Sequence, residues 1–537
     1  MNAVIRPTKK FIAILMLIPM LMALSLPARA GAVDDAIKAK LAPLAAQKPL
    51  HATGKTIPRA EVEFYAQRQW QPVWDDSRYQ ALLTALDDTY TDGLDPEDYS
   101  VSRLRNLPRD NHSPQQAAER DILATRAYLL ALEHLFHGKV EPRTLDSRWN
   151  FSARQFDPEH GLVLAREAVE KNDIAGIFNR ARPDAPQYNK LRTALANLRA
   201  IAQSGGWTTV PAADSALKPG DSSARVPLLR QRMRQAGLLP DGAVAKPEVY
   251  DPALVEAVKR FQTEAYLDAD GAVGASTVAA LNVPVQRRIE QARINLERAR
   301  WLLHELKGNL VIVDIAGYRI AYIRDGEVKW RSRVQIGKEY RPTPAFKSVI
   351  NRITLSPGWV VPSGILQKDT LPAIRRDPNY LTRNNMSVYD SAGQKVAPSS
   401  VDWSKPGNIT LRQTPGANGS LGEMAIRFPN SYSVYLHDTP HKALFAQTRR
   451  ATSSGCIRVE NIHDLAVLLL DDPVNWNREA MQKVIDERKT REVPLKNPVP
   501  ILLAYWTMDV DDDGYISFKP DVYKRDDRVL TALGKAL

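Results

Sequence analysis

A chain of 537 residues, 44% hydrophobic and 25% charged, has the composition of a globular protein and is too long for one core; at ~150 residues per domain it predicts about three domains. Its formal charge of +12 suits contact with polyanions such as cell wall or anionic lipid. The single cysteine, Cys456, excludes an intrachain disulfide framework.

Arg6, Lys9 and Lys10 precede an apolar run, Phe11–Leu24, and Ala28-Arg29-Ala30 supplies a small-x-small cleavage pattern. The run is shorter than the ~20 residues a membrane span needs and contains Pro19. Residues 1–30 therefore read as a secretory leader cleaved after Ala30, and no cysteine follows to make it a lipoprotein signal. Its loss removes four cations and no acid, leaving a charge of +8. Export argues against nucleic acid as a partner. It also puts the thiol in an oxidising compartment, where a second cysteine would trap it.

Residues 31–212 read as a helical block. Phe64-Tyr65, Trp70 and Val73-Trp74 make its start aromatic-dense, and Ala118, Ile122, Thr125, Leu129, Leu132 and Leu135 keep helical spacing. His134 and His137 on that helix read as packing residues, since nothing nearby completes a metal site. A Ser/Pro/Gly-rich stretch opens the next segment, 213–285, in which two amphipathic helices, a Gly-rich turn and a third short helix account for the spacing. Ile289, Ala292, Leu296, Ala299 and Leu303 then mark one connecting helix over 286–307.

From Asn309 the period changes to two. Val311, Val313 and Ile315, then Ile320 and Tyr322, then Val328 and Trp330 alternate around the hairpin signal Asp325-Gly326, predicting an antiparallel meander that opens a β domain over 308–508. Trp359 fits either a core position or a flat wall for substrate. Residues 364–403 interrupt the strand pattern with polar, turn-rich sequence, the mark of an inserted lid. Residues 509–537 read as a hairpin and tail; Asp509-x-Asp511-x-Asp513-Gly514 imitates a calcium loop but lacks the closing Glu.

The chemistry gathers in Tyr432–Glu460. His437 ends an alternating run, and Cys456 follows Ser453-Ser454-Gly455 nineteen residues later. A thiol nucleophile needs a base and an oxyanion site. His437 supplies the first and, as imidazolium, would lower the thiol pKa; backbone N–H groups at Gly455 and Cys456 supply the second. Ser453 and Ser454 read as hydroxyls that fix the loop. Tyr435 shares a strand face with His437 and fits a wall or hydrogen-bond donor. Arg458 fits a substrate carboxylate or an ordinary ion pair, and either Asp438 or a backbone carbonyl orients His437. A competing reading takes His437, His441 and Cys456 or Asp438 as zinc ligands of a peptidase, although Pro440 rules out the usual helical pair. Another takes the chain as a non-catalytic wall-binding protein.

The His437 and Ser-x-Gly-Cys456 segment resembles the signature of L,D-transpeptidases, with Ser454 where many members have His and Arg458 where many have Asn. Both departures resemble the large Gram-negative subfamily, the YcbB type. Phe261-Gln262 and Asp270-Gly271-Ala-Val273-Gly274 resemble the small peptidoglycan-binding-like domain, and 31–212 resembles that subfamily's scaffold domain. The resemblance implies a multidomain α+β protein with a mostly β, YkuD-like catalytic domain and a capping insertion. It implies Cys456 as nucleophile and His437 as base. The implied partners are peptidoglycan donor and acceptor stem peptides, with other wall-synthesis enzymes as further partners. No cofactor or metal is implied, the location is the periplasm, and carbapenems are implied acylating agents.

Overall fold

The computed structural model describes residues 27–46, 57–108, 113–147, 149–155, 157–416 and 418–535. Most of the leader signature, residues 1–26, lies outside them. No helix among the described residues is long and apolar enough to cross a membrane. The chain forms two compact units, one of residues 1–87, 99–132 and 156–178, the other of 88–98, 133–155 and 179–537. The helical block read over 31–212 contributes to both.

The first unit is helical and builds its core on the aromatic-dense stretch. Phe64 and Tyr65 are fully buried. The Tyr65 hydroxyl donates to Asp121 at 2.6 Å, and the same carboxylate accepts the Val73 and Trp74 N–H groups at 3.0 Å. Each buried polar atom in this knot thus has a partner, which is the condition for tolerating a carboxylate inside a core.

The second unit is arranged around the helix Val285–Leu302. The sequence reads it as a connector, but it is buried on most of its circumference. Its apolar stripe (Ile289, Ala292, Leu296, Ala299) packs on helix Pro186–Gln203, and Ile294, Trp301 and Leu302 enter the core of the β domain. Its charges are buried too. Arg300, with no exposed surface, donates to Asp92 O at 2.9 Å, to the Tyr188 hydroxyl at 2.8 Å and to Glu297 at 2.5 Å, and Glu297 also accepts the Val140 N–H at 2.7 Å. Such a pair survives burial only when further hydrogen bonds complete it, as here.

Helices Arg225–Gln235, Pro252–Glu264 and Ala275–Leu281 enclose a small separate core of Val226, Leu229, Met233, Leu254, Val258 and Val278. Gln262 explains the motif around it. Its amide donates to Asp270 at 3.0 Å and to Ala272 O at 2.9 Å and accepts the Gly271 N–H at 2.9 Å, so it fixes the turn.

The β domain opens with the expected meander, β1 (Leu310–Asp314), β2 (Arg319–Arg324) and β3 (Glu327–Gly337). β4 (Phe346–Leu355) follows, and an insertion carries β5 (Trp359–Val360), β6 (Met386–Tyr389), β7 (Lys395–Val396) and β8 (Thr410–Gln413). The main sheet resumes with β9 (Met424–Arg427), β10 (Leu436–His437), β11 (Ala451–Ser453), β12 (Ile457–Val459) and β13 (Arg491–Ala504). Its order is β11-β3-β12-β10-β9-β4-β13-β1-β2, and β2 also pairs with β3, closing the sheet on itself. β13 begins well before the Ile501 expected from periodicity. Pro494, Pro498 and Pro500 mask its alternation, and its register with β4 shifts between Pro494 and Val499. The insertion is a folded unit spanning 359–413, wider than 364–403, with its own four-stranded sheet and a core of Leu366, Leu371, Ile374, Val388 and Leu411. The acidic repeat is the tip of a hairpin between β14 (Met508–Val510) and β15 (Ile516–Phe518).

Candidate active site

Strand pairing closes the nineteen-residue gap. β10 and β12 run parallel with Leu436 opposite Ile457 and His437 opposite Arg458, and the Ile457 N–H donates to Tyr435 O at 3.1 Å. Cys456, half-buried, precedes β12 and so lies against Tyr435. Burial pushes its thiol up, partly offset by hydrogen bonds from the Tyr435 amide and hydroxyl and by the charges of Arg427 and Arg458. The Sγ lies 3.6 Å from Ser433 O.

His437 is buried, and its Nδ1 donates to the Asp438 carbonyl at 2.5 Å, which leaves Nε2 as the proton acceptor. Burial, then the Arg458 charge, pulls its pKa down to about 3. This corrects the imidazolium expected from sequence. With the imidazole pulled down and the thiol pushed up, both rest neutral.

The Cys loop is held from three sides. Ser453 Oγ donates to Cys456 O at 2.6 Å and accepts the Gly455 N–H at 3.1 Å. The Gly455 amide is therefore occupied, correcting its assignment to an oxyanion; the Cys456 amide has no acceptor among the described residues. Gly455 has φ +119°, a conformation side chains rarely adopt. Thr343 Oγ1 donates to Gly455 O at 2.8 Å and accepts the Gly337 N–H at 2.9 Å. The Tyr523 hydroxyl completes that brace, accepting the Thr343 N–H at 3.1 Å and donating to Gly337 O at 2.7 Å. Ser454 Oγ accepts from Arg341 at 3.0 Å, and Arg341 also pairs with Asp369 of the insertion.

The Tyr435 ring centroid lies 5.6 Å from that of His437. Arg458 donates to Gln335 at 3.2 Å, makes no ion pair among the described residues and keeps its buried Nε without a partner. The Asp438 side chain is taken up by neighbouring groups. Its buried carboxylate pairs with Lys442 and accepts the Glu423 N–H at 3.0 Å, so the Asp438 backbone carbonyl orients His437 instead. Trp359 packs half-buried against the insertion's core. His441 is exposed, and no three His, Cys, Asp or Glu side chains among the described residues gather where they could hold a metal.

Sequence reasoning missed Arg427, Thr343, Arg341 and Tyr523. Arg427 could be found once β9 is aligned against β10: Ala425 opposes His437 and Ile426 opposes Leu436, so Arg427 falls across from Tyr435, and its guanidinium sits 4.0 Å from that ring's centroid. Arg341 lies 113 residues from Ser454, Thr343 112 residues from Gly455 and Tyr523 180 residues from Thr343, all in non-periodic segments, and no local pattern marks them. A cavity of about 480 Å3 opens beside the Cys loop, lined by Arg341, Pro344, Tyr432, Val434, Ser454 and Gly455.

Residues 308–484 match the L,D-transpeptidase catalytic domain, residues 222–281 a peptidoglycan binding domain and residues 60–195 a scaffold domain. A Haemophilus influenzae protein named as an L,D-transpeptidase is 35% identical over 224 residues, covering 41% of this chain. The matched region spans 45% of that relative's length. Among solved structures, an L,D-transpeptidase from Mycobacterium smegmatis is 18% identical over 36% of this chain and 58% of its own, with a TM-score of 0.18. Residues 123–326 of the Xylanimonas cellulosilytica L,D-transpeptidase are 16% identical over 55% of this chain and 100% of that one, with a TM-score of 0.17.

Proposed function

We infer, for a chain that belongs to the L,D-transpeptidases of the YcbB type, that it forms 3→3 cross-links between peptidoglycan stem peptides through a thioester on Cys456. The observation that carries this is the pairing of β10 with β12. It brings His437, with Nε2 free, beside the turn that presents Cys456.

The thiol Sγ attacks the L-centre carbonyl of a donor tetrapeptide while His437 Nε2 takes its proton. Because both groups rest neutral, proton transfer accompanies C–S bond formation instead of preceding it. The Cys456 N–H donates to the oxyanion, a contribution on the order of 3 kcal/mol. Arg427 and Arg458 favour negative charge at the sulfur. The tetrahedral species collapses to the thioester, and the imidazolium returns its proton to the departing D-Ala amine. A neighbouring stem's side-chain amine then attacks, His437 takes its proton, and the sulfur leaves and is reprotonated. Arg458, without a counter-ion among the described residues, suits a stem carboxylate.

The leader signature and the basic charge support action in the periplasm. Mass spectrometry of muropeptides incubated with the wild type and with Cys456→Ala tests the proposal. A 3→3 cross-linked dimer is expected only with the wild type; the dimer forming with both proteins, or with neither, overturns it.

A further inference from the structure

Residues 339–345 form a partition between two cavities. Arg341 and Pro344 line the one beside the Cys loop, Glu339 and Ala345 line a second, of about 470 Å3, and Pro342 lines both. Such a volume falls in the ~300–1,000 Å3 range of small-molecule sites. Aromatic rings wall the second cavity. Trp149, half-buried, packs 4.6 Å from Phe151 and meets Trp301 edge to face at 5.6 Å. Tyr505 and Tyr523 stack with centroids 5.6 Å apart, and the Arg525 guanidinium lies 5.1 and 5.3 Å from them.

Charges in this cavity cancel. Lys524 pairs with Glu339 at 2.6 Å and Arg298 with Asp526 at 2.7 Å. The Asp146 charge offsets Arg525, and Arg528 stands exposed at the rim, its Nη1 donating to Leu145 O at 3.4 Å. No buried charge is left over, so neither an anion nor a cation is called for. Hydrogen-bonding capacity is left over. The Arg525 guanidinium makes no hydrogen bond or ion pair among the described residues. Its fork of N–H donors beside flat rings suits a neutral ligand that carries hydroxyl and carbonyl oxygens.

We propose that this cavity holds the N-acetylated amino sugar from which the donor stem peptide hangs, its ring laid on Trp149 and its acetamido or hydroxyl oxygens on Arg525. The choice of ligand rests on the peptidoglycan substrate proposed above. That sugar is neutral once its lactyl carboxyl is spent in the amide to the stem, which matches the cancelled charges. The carbonyl that Cys456 attacks is the third along the stem, about 10 Å from the sugar along an extended chain, so a stem crossing Pro342 passes from one cavity into the other. Tyr523 joins the two sites: its ring lines the sugar cavity, while its hydroxyl donates to Gly337 O at 2.7 Å and accepts the Thr343 N–H at 3.1 Å in the brace of the Cys loop.

The test follows acylation of the full chain by intact-protein mass with two donors that differ only in the sugar, a disaccharide-tetrapeptide and an N-acetylated tetrapeptide. The sugar-bearing donor is expected to have a KM about tenfold lower, the scale of one stacking contact plus one hydrogen bond. Trp149→Ala and Arg525→Gln should each raise that KM towards the value for the tetrapeptide, leaving kcat and both constants for the tetrapeptide near wild type; a merely structural lesion would weaken both donors alike. Binding is read apart from chemistry in Cys456→Ala carrying 5-fluorotryptophan, the Trp149 signal being assigned through Trp149→Phe. That signal should move with the disaccharide-tetrapeptide and stay put with the tetrapeptide. If Trp149→Ala does not fold, Arg525→Gln decides the matter. Equal KM values for the two donors, a Trp149 signal that stays put at millimolar disaccharide-tetrapeptide, or an Arg525→Gln variant that changes neither donor or both alike overturns the proposal. The two readings fail differently: equal KM values overturn the sugar site and leave the transpeptidase reading, whereas no acylation by either donor overturns the transpeptidase reading and leaves the fluorine titration to decide the cavity.

Discussion

The main sheet and the inserted sheet solve different problems. In the main sheet, β10 is only two residues long, yet β9 and β12 clamp it on either side, and β12 is held in turn by β3. His437 and Cys456 owe their positions to that register, and a one-residue slip would turn His437 to the opposite face. The inserted sheet has a private core, and its first and last strands pair at Trp359 and Gln413, so it enters and leaves at one point. It is tied to the catalytic loop through Arg341, which pairs with Asp369 and reaches Ser454. A region locked by register should tolerate little; a region hung from one point should be separable.

The comparison sharpens first at Cys456. Cys456→Ala should abolish acyl-enzyme formation, read as loss of the donor-stem thioester by intact-protein mass, while thermal unfolding stays near that of the wild type, because the residue is half-buried and ends in a turn. His437→Gln should slow acylation by about 10²–10⁴, the span of a general base. Replacing 359–413 by a short Gly linker, which the Trp359–Gln413 pairing allows, should leave the melting transition of the main sheet in place and reduce muropeptide turnover by roughly tenfold or more through lost positioning. Equal turnover by the deleted form would show that the insertion is not a working lid. Tyr523→Phe should be mildest: it removes two hydrogen bonds from the Gly337–Thr343 brace, each worth about 1 kcal/mol, and should slow acylation several-fold with little change in the pH profile.

The sequence displayed what local physics controls. Asp325-Gly326 marked the β2–β3 turn, alternation marked β1 to β3, and a lone cysteine after Ser-x-Gly stood out because chemistry needs those residue types together. What depends on distant pairing was hidden. The prolines of β13 broke its alternation although Pro494 and Pro500 stay in the ladder with β4 and only the stretch between Pro494 and Val499 shifts register. Glu297, Arg298 and Arg300 made a buried helix look solvent-facing, since their partners Val140, Asp526 and Asp92 come from elsewhere in the chain. The sequence does not choose between Asp438 and a backbone carbonyl as the group that orients His437; the Asp438 carboxylate turns to Lys442 and the Glu423 amide, and its carbonyl does the orienting. Nothing local in Ser453-Ser454-Gly455 shows that the Ser453 hydroxyl holds the Gly455 amide and leaves only the Cys456 amide for an oxyanion.

The central claim is that Cys456 and His437 rest as a neutral pair in a buried site. The direct test is the rate of thioester formation with a donor tetrapeptide stem, followed by intact-protein mass from pH 4.5 to 9, in the wild type and in His437→Gln. An imidazole pulled down to about 3 stays neutral, and able to accept the thiol proton, across this whole window. The wild-type rate should therefore be nearly flat through pH 6.5, where an ordinary histidine base would be half protonated. The variant should be slow and should quicken as pH rises towards the elevated thiol pKa. A wild-type rate that halves near pH 6.5, or a variant that keeps the wild-type rate and profile, would contradict the account.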